Sequence, residues 1–260
     1  MKPRPPHLVL FSLVAILMAG CGPKPPVALL PETVPIQELV ARLRTRSEFW
    51  QGYQARVNVK GESARKNFSV HAVIVANLPD QLRFEANKLG QTVGVLVFNR
   101  NRSTLWIPSE QVAYRASKGE DLIEYFLGAT IPPEAFSRSL IASLSMDQIR
   151  SLQPIPGQSR LLLHSGKSEI DAAYTWKLSP GVESIESAQV RQGARLYSVI
   201  YDPPVSLDAE GHPRKISFVS EEWQLEVKIE QLAPAVGSPE SAFELPIPGG
   251  TRLVDLAAVQ

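Results

Sequence analysis

From Tyr53 onward the apolar residues of this chain fall on every second position, and that period decides most of what the chain can fold into. In "YQARVNVKG", Tyr53, Ala55, Val57 and Val59 alternate with Gln54, Arg56, Asn58 and Lys60. Successive side chains of a strand point to opposite faces, so the pattern predicts a half-buried antiparallel strand. "KNFSVHAVIVANLP", "QLRFEA", "QTVGVLVFN", "STLWIP" and "QVAYRA" extend it into a meander of about six strands. "RLLLHS", "AAYTWKLS", "VESIESAQV", "RLYSVIYD", "RKISFVS" and "EEWQLEVKIEQL" resume it after residue 159, and "FELPIPGGTRLVDL" ends the chain as an extended, proline-braced tail. The total is an antiparallel sheet of about 11–12 strands, with helices inserted: an α+β fold.

The helices announce themselves by a change of period. "PIQELVARLRTRSEFW" places Ile36, Leu39, Val40, Leu43 and Trp50 near one face and Glu38, Arg42, Arg44 and Arg46 on the others. "GEDLIEYFLGATIPPEAFSRSLIASL" interrupts the sheet with two helices. The first opens on Glu120 and Asp121 and stops at Gly128; the second starts at Pro132–Pro133. A long antiparallel sheet curls, and helices of this kind cover its open side. Apolar residues on both surfaces leave two outcomes open, a greasy cavity or a packed core.

The N-terminus concerns location. "LVLFSLVAILMAG" (8–20) is an uncharged run of 13 residues after a basic start. A membrane-spanning helix needs about 20, so the run predicts a secretory signal. "LMAGC" follows it and resembles the bacterial lipobox, with Cys21 as the acceptor of lipid. Cys21 is the only cysteine, and lipidation explains a lone thiol in an exported chain. The expected layout is a signal peptide over 1–20, a lipidated Cys21 with a proline-rich tether over 21–35, and one domain over 36–260. Removing the signal takes away Lys2 and Arg4, leaving 25 basic against 26 acidic residues. That balance gives no electrostatic case for nucleic acid.

No catalytic constellation is legible. His71, His164 and His212 stand alone rather than at metal-ligand spacing, and there is no G-x-S-x-G elbow, phosphate loop or G-x-G-x-x-G. The expectation is no enzyme, no cofactor and no metal. One residue is out of place for a plain scaffold. In "FEANKLGQTVGVLVF" a leucine, Leu89, sits at a hairpin turn among Asn87, Lys88, Gly90 and Gln91.

The order of elements is similar to that of the LolA/LolB lipoprotein-carrier superfamily. Two segments carry the resemblance. "NKLGQT" resembles the family's N-P-L-G loop, with Lys88 in place of proline. "LGATIPPEAFSRSLIA" resembles its G-x-P-I-P-L-x-x-L segment, with Pro133 in place of leucine and Ser139 where enteric members carry tryptophan. The resemblance implies a half-open β-barrel closed by helices, whose cavity holds acyl chains of lipoproteins. It also implies a soluble periplasmic LolA-like carrier as partner, and lipid anchoring on the periplasmic face of the outer membrane of a Gram-negative bacterium. The loop leucine would enter the bilayer, which makes Lys88, Leu89 and Gly90 the insertion loop. Alternation then assigns the cavity walls to Val57, Val59, Phe68, Val70, Phe84, Val93, Val95, Val97 and Trp106, and the lids to Leu122, Phe126, Phe136 and Leu140. Two other functions fit the same residues: a structural or assembly lipoprotein acting through its surface, or a carrier of free lipid or glycolipid.

Overall fold

Two meanders make the sheet, and they meet in the middle of it. The computed structural model describes residues 36–64, 67–100, 102–154, 162–165, 172–179, 183–235 and 237–256. The predicted signal, Cys21 and the tether lie outside the described residues. After helix α1 (Ile36–Phe49), the first meander runs through β1 (Gly52–Ser63), β2 (Asn67–Asn77), β3 (Gln81–Lys88), β4 (Gln91–Asn99), β5 (Arg102–Ile107) and β6 (Val112–Ala116). Three helices follow: α2 (Gly119–Leu127), α3 (Pro133–Leu140) and α4 (Met146–Arg150). The second meander comprises β7 (Gln153–Pro154), β8 (Leu162–Ser165), β9 (Ala172–Leu178), β10 (Ser184–Gln192), β11 (Arg195–Ser206), β12 (Lys215–Val219) and β13 (Trp223–Pro234). A last strand, β14 (Arg252–Asp255), lies parallel to β6.

The sheet order is β14-β6-β5-β4-β3-β2-β1-β13-β12-β11-β10-β9-β8-β7. Its centre is the antiparallel pair of β1 and β13, with Val59 opposite Val227. The predicted twelve strands are β1–β6 and β8–β13; the additions are two-residue β7 and the tail strand β14. Both ends of the sheet are open edges, so the barrel is not closed. The chain leaves the first meander at β6 and re-enters at β7 on the opposite edge. The segment carrying α2, α3 and α4 bridges that span.

One side chain measures the curl. Phe136 of α3 packs 6.2 Å from Phe84 of β3 and 5.7 Å from Phe218 of β12, measured between ring centroids. In a flat sheet those strands would lie about 19 Å apart, at about 4.8 Å per strand. A single ring reaches both because the sheet wraps around α3. This central helix is buried on nearly every side, and its serines fit there because Ser137 and Ser139 donate back to the carbonyls of Pro133 and Ala135 at 2.8 and 2.7 Å. The short α4, which the sequence reading did not anticipate, starts at a capping box. Ser145 accepts from the Gln148 N–H at 3.1 Å, and the Gln148 side chain accepts from the Ser145 N–H at 2.7 Å.

α1 fastens these helices to the sheet, through a residue that its charge placed on the wrong face. Arg46 is wholly buried, on the same stripe as Leu39, Leu43 and Trp50. Its guanidinium donates to four backbone carbonyls: Ala142 at 2.9 Å, Asp208 at 2.7 Å, Ser206 at 3.1 Å, and Ile141. The spacing 39-43-46-50 already lay on the buried face, and only the residue type argued otherwise. Burial lowers the Arg46 pKa to about 10, so the group stays charged at neutral pH. Tyr53 makes a second tie, donating to the Ser137 carbonyl at 3.0 Å inside the core. Burial pushes its phenol above the usual range, which keeps it a neutral donor. Tyr53→Phe is expected to lower the unfolding free energy by about 1–2 kcal/mol, because that carbonyl loses its phenol donor. Urea unfolding measures the change, and an unchanged midpoint would refute the tie.

The tail covers the other face of the first meander. A 3₁₀ turn at Glu240–Phe243 buries Phe243 against Val75, Val95 and Val97, while Arg83 donates to the Glu244 carbonyl at 3.3 Å. Pro31–Gln260 form one compact unit, and its described residues make one large core and this small satellite.

Candidate functional site

At the end where the β1–β2, β3–β4 and β5–β6 hairpins point, α2 stops short and leaves a pocket of about 240 Å³. Its walls are Phe68 and Val70 of β2, Val93 of β4, Ile107 of β5, and Phe126 and Leu127 at the end of α2. Ser69, Lys88 and Glu110 line it from exposed positions. Two glycines make room for its aromatic rings. A Cβ at Gly61 would stand 2.0 Å from the Phe68 ring, and one at Gly94 would stand 2.4 Å from the Phe126 ring. Each ring lies against bare backbone, and a side chain at either glycine would displace it.

Val93 faces the pocket because β4 carries a bulge. Thr92 pairs with Asn87 and Gly94 with Ala86, which leaves Val93 as the extra residue between them. A bulge re-aims one side chain and shifts the alternation after it. Past the bulge, Leu96 points to the core while Val95 and Val97 point to the outer face, where Trp106 pairs with Val95. The assignment of Val95, Val97 and Trp106 to the cavity is therefore corrected. They belong to the satellite cluster under the C-terminal segment.

The remaining wall residues divide in two. Phe68, Val70, Val93 and Phe126 come together around the pocket. Val57, Val59, Phe84, Leu122, Phe136 and Leu140 are buried in the packed core. Behind Phe126 a file of rings fills the concave side: Phe126 to Phe84 at 6.3 Å, Phe84 to Phe136 at 6.2 Å, and Phe136 to Phe218 at 5.7 Å. Among the described residues, this file of side chains occupies the concave side behind Phe126, and the pocket lies in front of it. The sequence reading missed Ser69, Ile107, Glu110 and Leu127. Following Leu105 instead of Trp106 along β5 would have found Ile107; Glu110 sits in a 3₁₀ turn that no period marks.

The polar rim is held in place. Tyr125 donates to the Tyr114 hydroxyl at 2.8 Å, and Tyr114 donates to Glu110 at 3.2 Å. The hydrogen bond with Tyr125, followed by burial and the nearby Glu110 carboxylate, raises the Tyr114 phenol above its usual range. Tyr114 thus remains a donor and fixes the Glu110 carboxylate.

Next to Lys88 on the rim, Leu89 forms the tip of the β3–β4 hairpin and is 95% exposed. Both residues of this two-residue loop have positive φ, +52° at Leu89 and +79° at Gly90. That is the pattern of a type I′ turn, whose preferred sequence is Asn-Gly or Asp-Gly. Leucine there carries a backbone cost, as an L-residue in left-handed backbone.

No protein-family model and no curated protein matches the sequence. Solved structures do match the fold. A LolA-superfamily protein from Nitrosomonas europaea superposes with a TM-score of 0.54 at 11% identity, covering 82% of this chain and 99% of that one. An outer membrane lipoprotein-sorting protein domain from Vibrio parahaemolyticus gives 0.51 at 14% identity, covering 80% and 95%. The chain has the LolA-like fold. A DUF1329-family protein from Desulfovibrio piger shares it too, with a TM-score of 0.56 at 10% identity over 82% of this chain and 98% of that one. At such identities the LolA-like fold is what is common.

Proposed function

We propose that this protein is an envelope lipoprotein that takes acyl chains of lipoproteins at the mouth of its half-barrel and places them in the outer membrane. The observation that carries the reading is the juxtaposition of an apolar pocket with Leu89, an exposed leucine kept at a turn that disfavours it. A lipidated Cys21 would hold the mouth near a bilayer. A soluble LolA-like carrier would supply the cargo, and Lys88 would extend its ammonium to lipid headgroups while its stem stays on apolar surface. Delivery needs no nucleotide. It runs downhill wherever the site binds acyl chains more tightly than the carrier does.

The test uses a form beginning at Gly22, which keeps the whole compact unit from Pro31 to Gln260. Purified without detergent and extracted, it is expected to release acyl lipid detectable by mass spectrometry, and to bind a fluorescent acylated peptide that displaces this lipid. A form that carries no lipid and binds no acyl probe would sink the reading. The filled interior behind Phe126 then favours the second one, a structural lipoprotein that works through its surface.

A further inference from the structure

Two opposite charges share the rim of the pocket without neutralising each other. Glu110 and Lys88 both line it from exposed positions, and among the described residues they form no ion pair with each other. The carboxylate is the better fixed of the two. It ends the 3₁₀ turn Pro108–Glu110 between β5 and β6, and its Oε2 accepts from Tyr114 at 3.2 Å. Tyr114 is in turn bonded to Tyr125 of α2 at 2.8 Å. Oε1 accepts from no described residue, although a carboxylate oxygen has room for two donors. We propose that Glu110 selects the ligand: the pocket takes acyl chains whose head carries a primary ammonium, and that ammonium is held on Glu110. This inference rests on the acyl-binding reading and names the head that goes with the chain.

An exposed ion pair is usually worth little, because water screens it and a long side chain must be ordered to make it. Here Tyr114 has already ordered the carboxylate, so the ligand alone gives up freedom. A chain lying on Val93, Ile107 and Phe126 also displaces water from the pocket that Glu110 lines, and attraction between charges grows as water leaves. Lys88 on the same rim repels a second cation and offers a donor to an acceptor in the same head. Two acylated heads have this chemistry. An ethanolamine phospholipid carries a phosphate beside its ammonium, and an acylated terminal cysteine with a free amine carries a peptide carbonyl beside it.

The measurement is displacement of the fluorescent acylated peptide from the form beginning at Gly22 by two pairs of competitors with the same chain, each below its micelle-forming concentration. One pair is lysophosphatidylethanolamine and its N-acetyl derivative. The other is an S-acylated cysteinyl dipeptide amide with a free amine and its N-acetyl derivative. Acetylation removes the ammonium and leaves the chain, so the free amine is expected to bind about three- to tenfold more tightly than its acetylated partner. A preference in the first pair alone assigns the head to a phospholipid, and in the second alone to a lipoprotein. Glu110→Gln keeps an oxygen that accepts from Tyr114 and so keeps the turn tied to α2, but it removes the charge. It is expected to bring the two members of each pair level. Equal affinities in both pairs with the parent protein would overturn the selection while leaving acyl binding intact. A preference that survives Glu110→Gln would overturn the assignment to this carboxylate. Failure of all four competitors to displace the probe, in a protein that binds no acyl chain, would overturn the acyl-binding reading and the selection with it.

Discussion

Replacing Arg46 with methionine is expected to lower the unfolding free energy by about 3–5 kcal/mol, the largest single-residue loss we anticipate outside the apolar core. The guanidinium serves four carbonyls at once, and those of Ile141 and Ala142 are buried. Each buried carbonyl left without a donor costs about 1–3 kcal/mol. Methionine fills part of the volume and removes the desolvated charge, which offsets part of the loss. Lysine keeps the charge but offers three donors on a single nitrogen, so Arg46→Lys is expected to recover less than half of it. The control is Arg42→Met. Arg42 reaches Asp208 at 3.4 Å from a partly exposed position, and losing that pair is worth at most about 1 kcal/mol. Urea unfolding of the three variants checks the ordering. Equal midpoints for Arg46→Met and Arg42→Met would mean that water replaces the guanidinium and that the cage does not hold the helices.

The same residue shows where reading the sequence succeeds and where it stops. Strand positions in both meanders were legible because one face is buried and period two is strict; Tyr53, Ala55, Val57 and Val59 all point inward. Arg46 lay at the right spacing for the buried stripe of α1, yet a single-residue rule about charge outranked the period. The rule fails when the charge meets carbonyls that no helix or ladder satisfies, such as those around the turn at Ala142, where φ is +46°. Val93, Val95 and Val97 show a different limit. In "TVGVLVF" Gly94 is the one mark of an extra residue, since a glycine inside a strand signals a bulge or a close approach, and one bulge moves two of three valines to the other face. The C-terminal cover was illegible for a third reason. "FELPIP" has no period, and only the tertiary fold brings Phe243 onto Val75, Val95 and Val97. The candidate site was half legible in consequence. Its β2 and α2 walls follow from alternation and helical spacing, while Ile107 and Glu110 depend on how β5 and its turn are placed.

Leu89→Asn is expected to do two opposite things, and the pair of effects separates a role in membranes from a role in the fold. Asparagine suits left-handed backbone and heads the preferred Asn-Gly turn, so the hairpin gains. An L-residue without such local hydrogen bonding costs about 1–2 kcal/mol in that conformation. Recovering part of it should raise the unfolding free energy by about 1 kcal/mol. Leu89 is 95% exposed, so almost no core contact is lost to set against this gain. Membrane binding should fall instead. Burying a leucine side chain is worth about 1.5–3 kcal/mol, which corresponds to roughly a 10- to 100-fold loss in partition to vesicles of phosphatidylethanolamine and phosphatidylglycerol. Leu89→Phe keeps the apolar tip and should bind vesicles like the parent, while gaining nothing in stability. Sedimentation with vesicles and urea unfolding, run on the same three proteins, read both axes. If Leu89→Asn binds vesicles as well as the parent, the leucine has no membrane role. A more stable variant that has lost its hold on the bilayer would show a turn held away from its best sequence by what the tip does outside the protein.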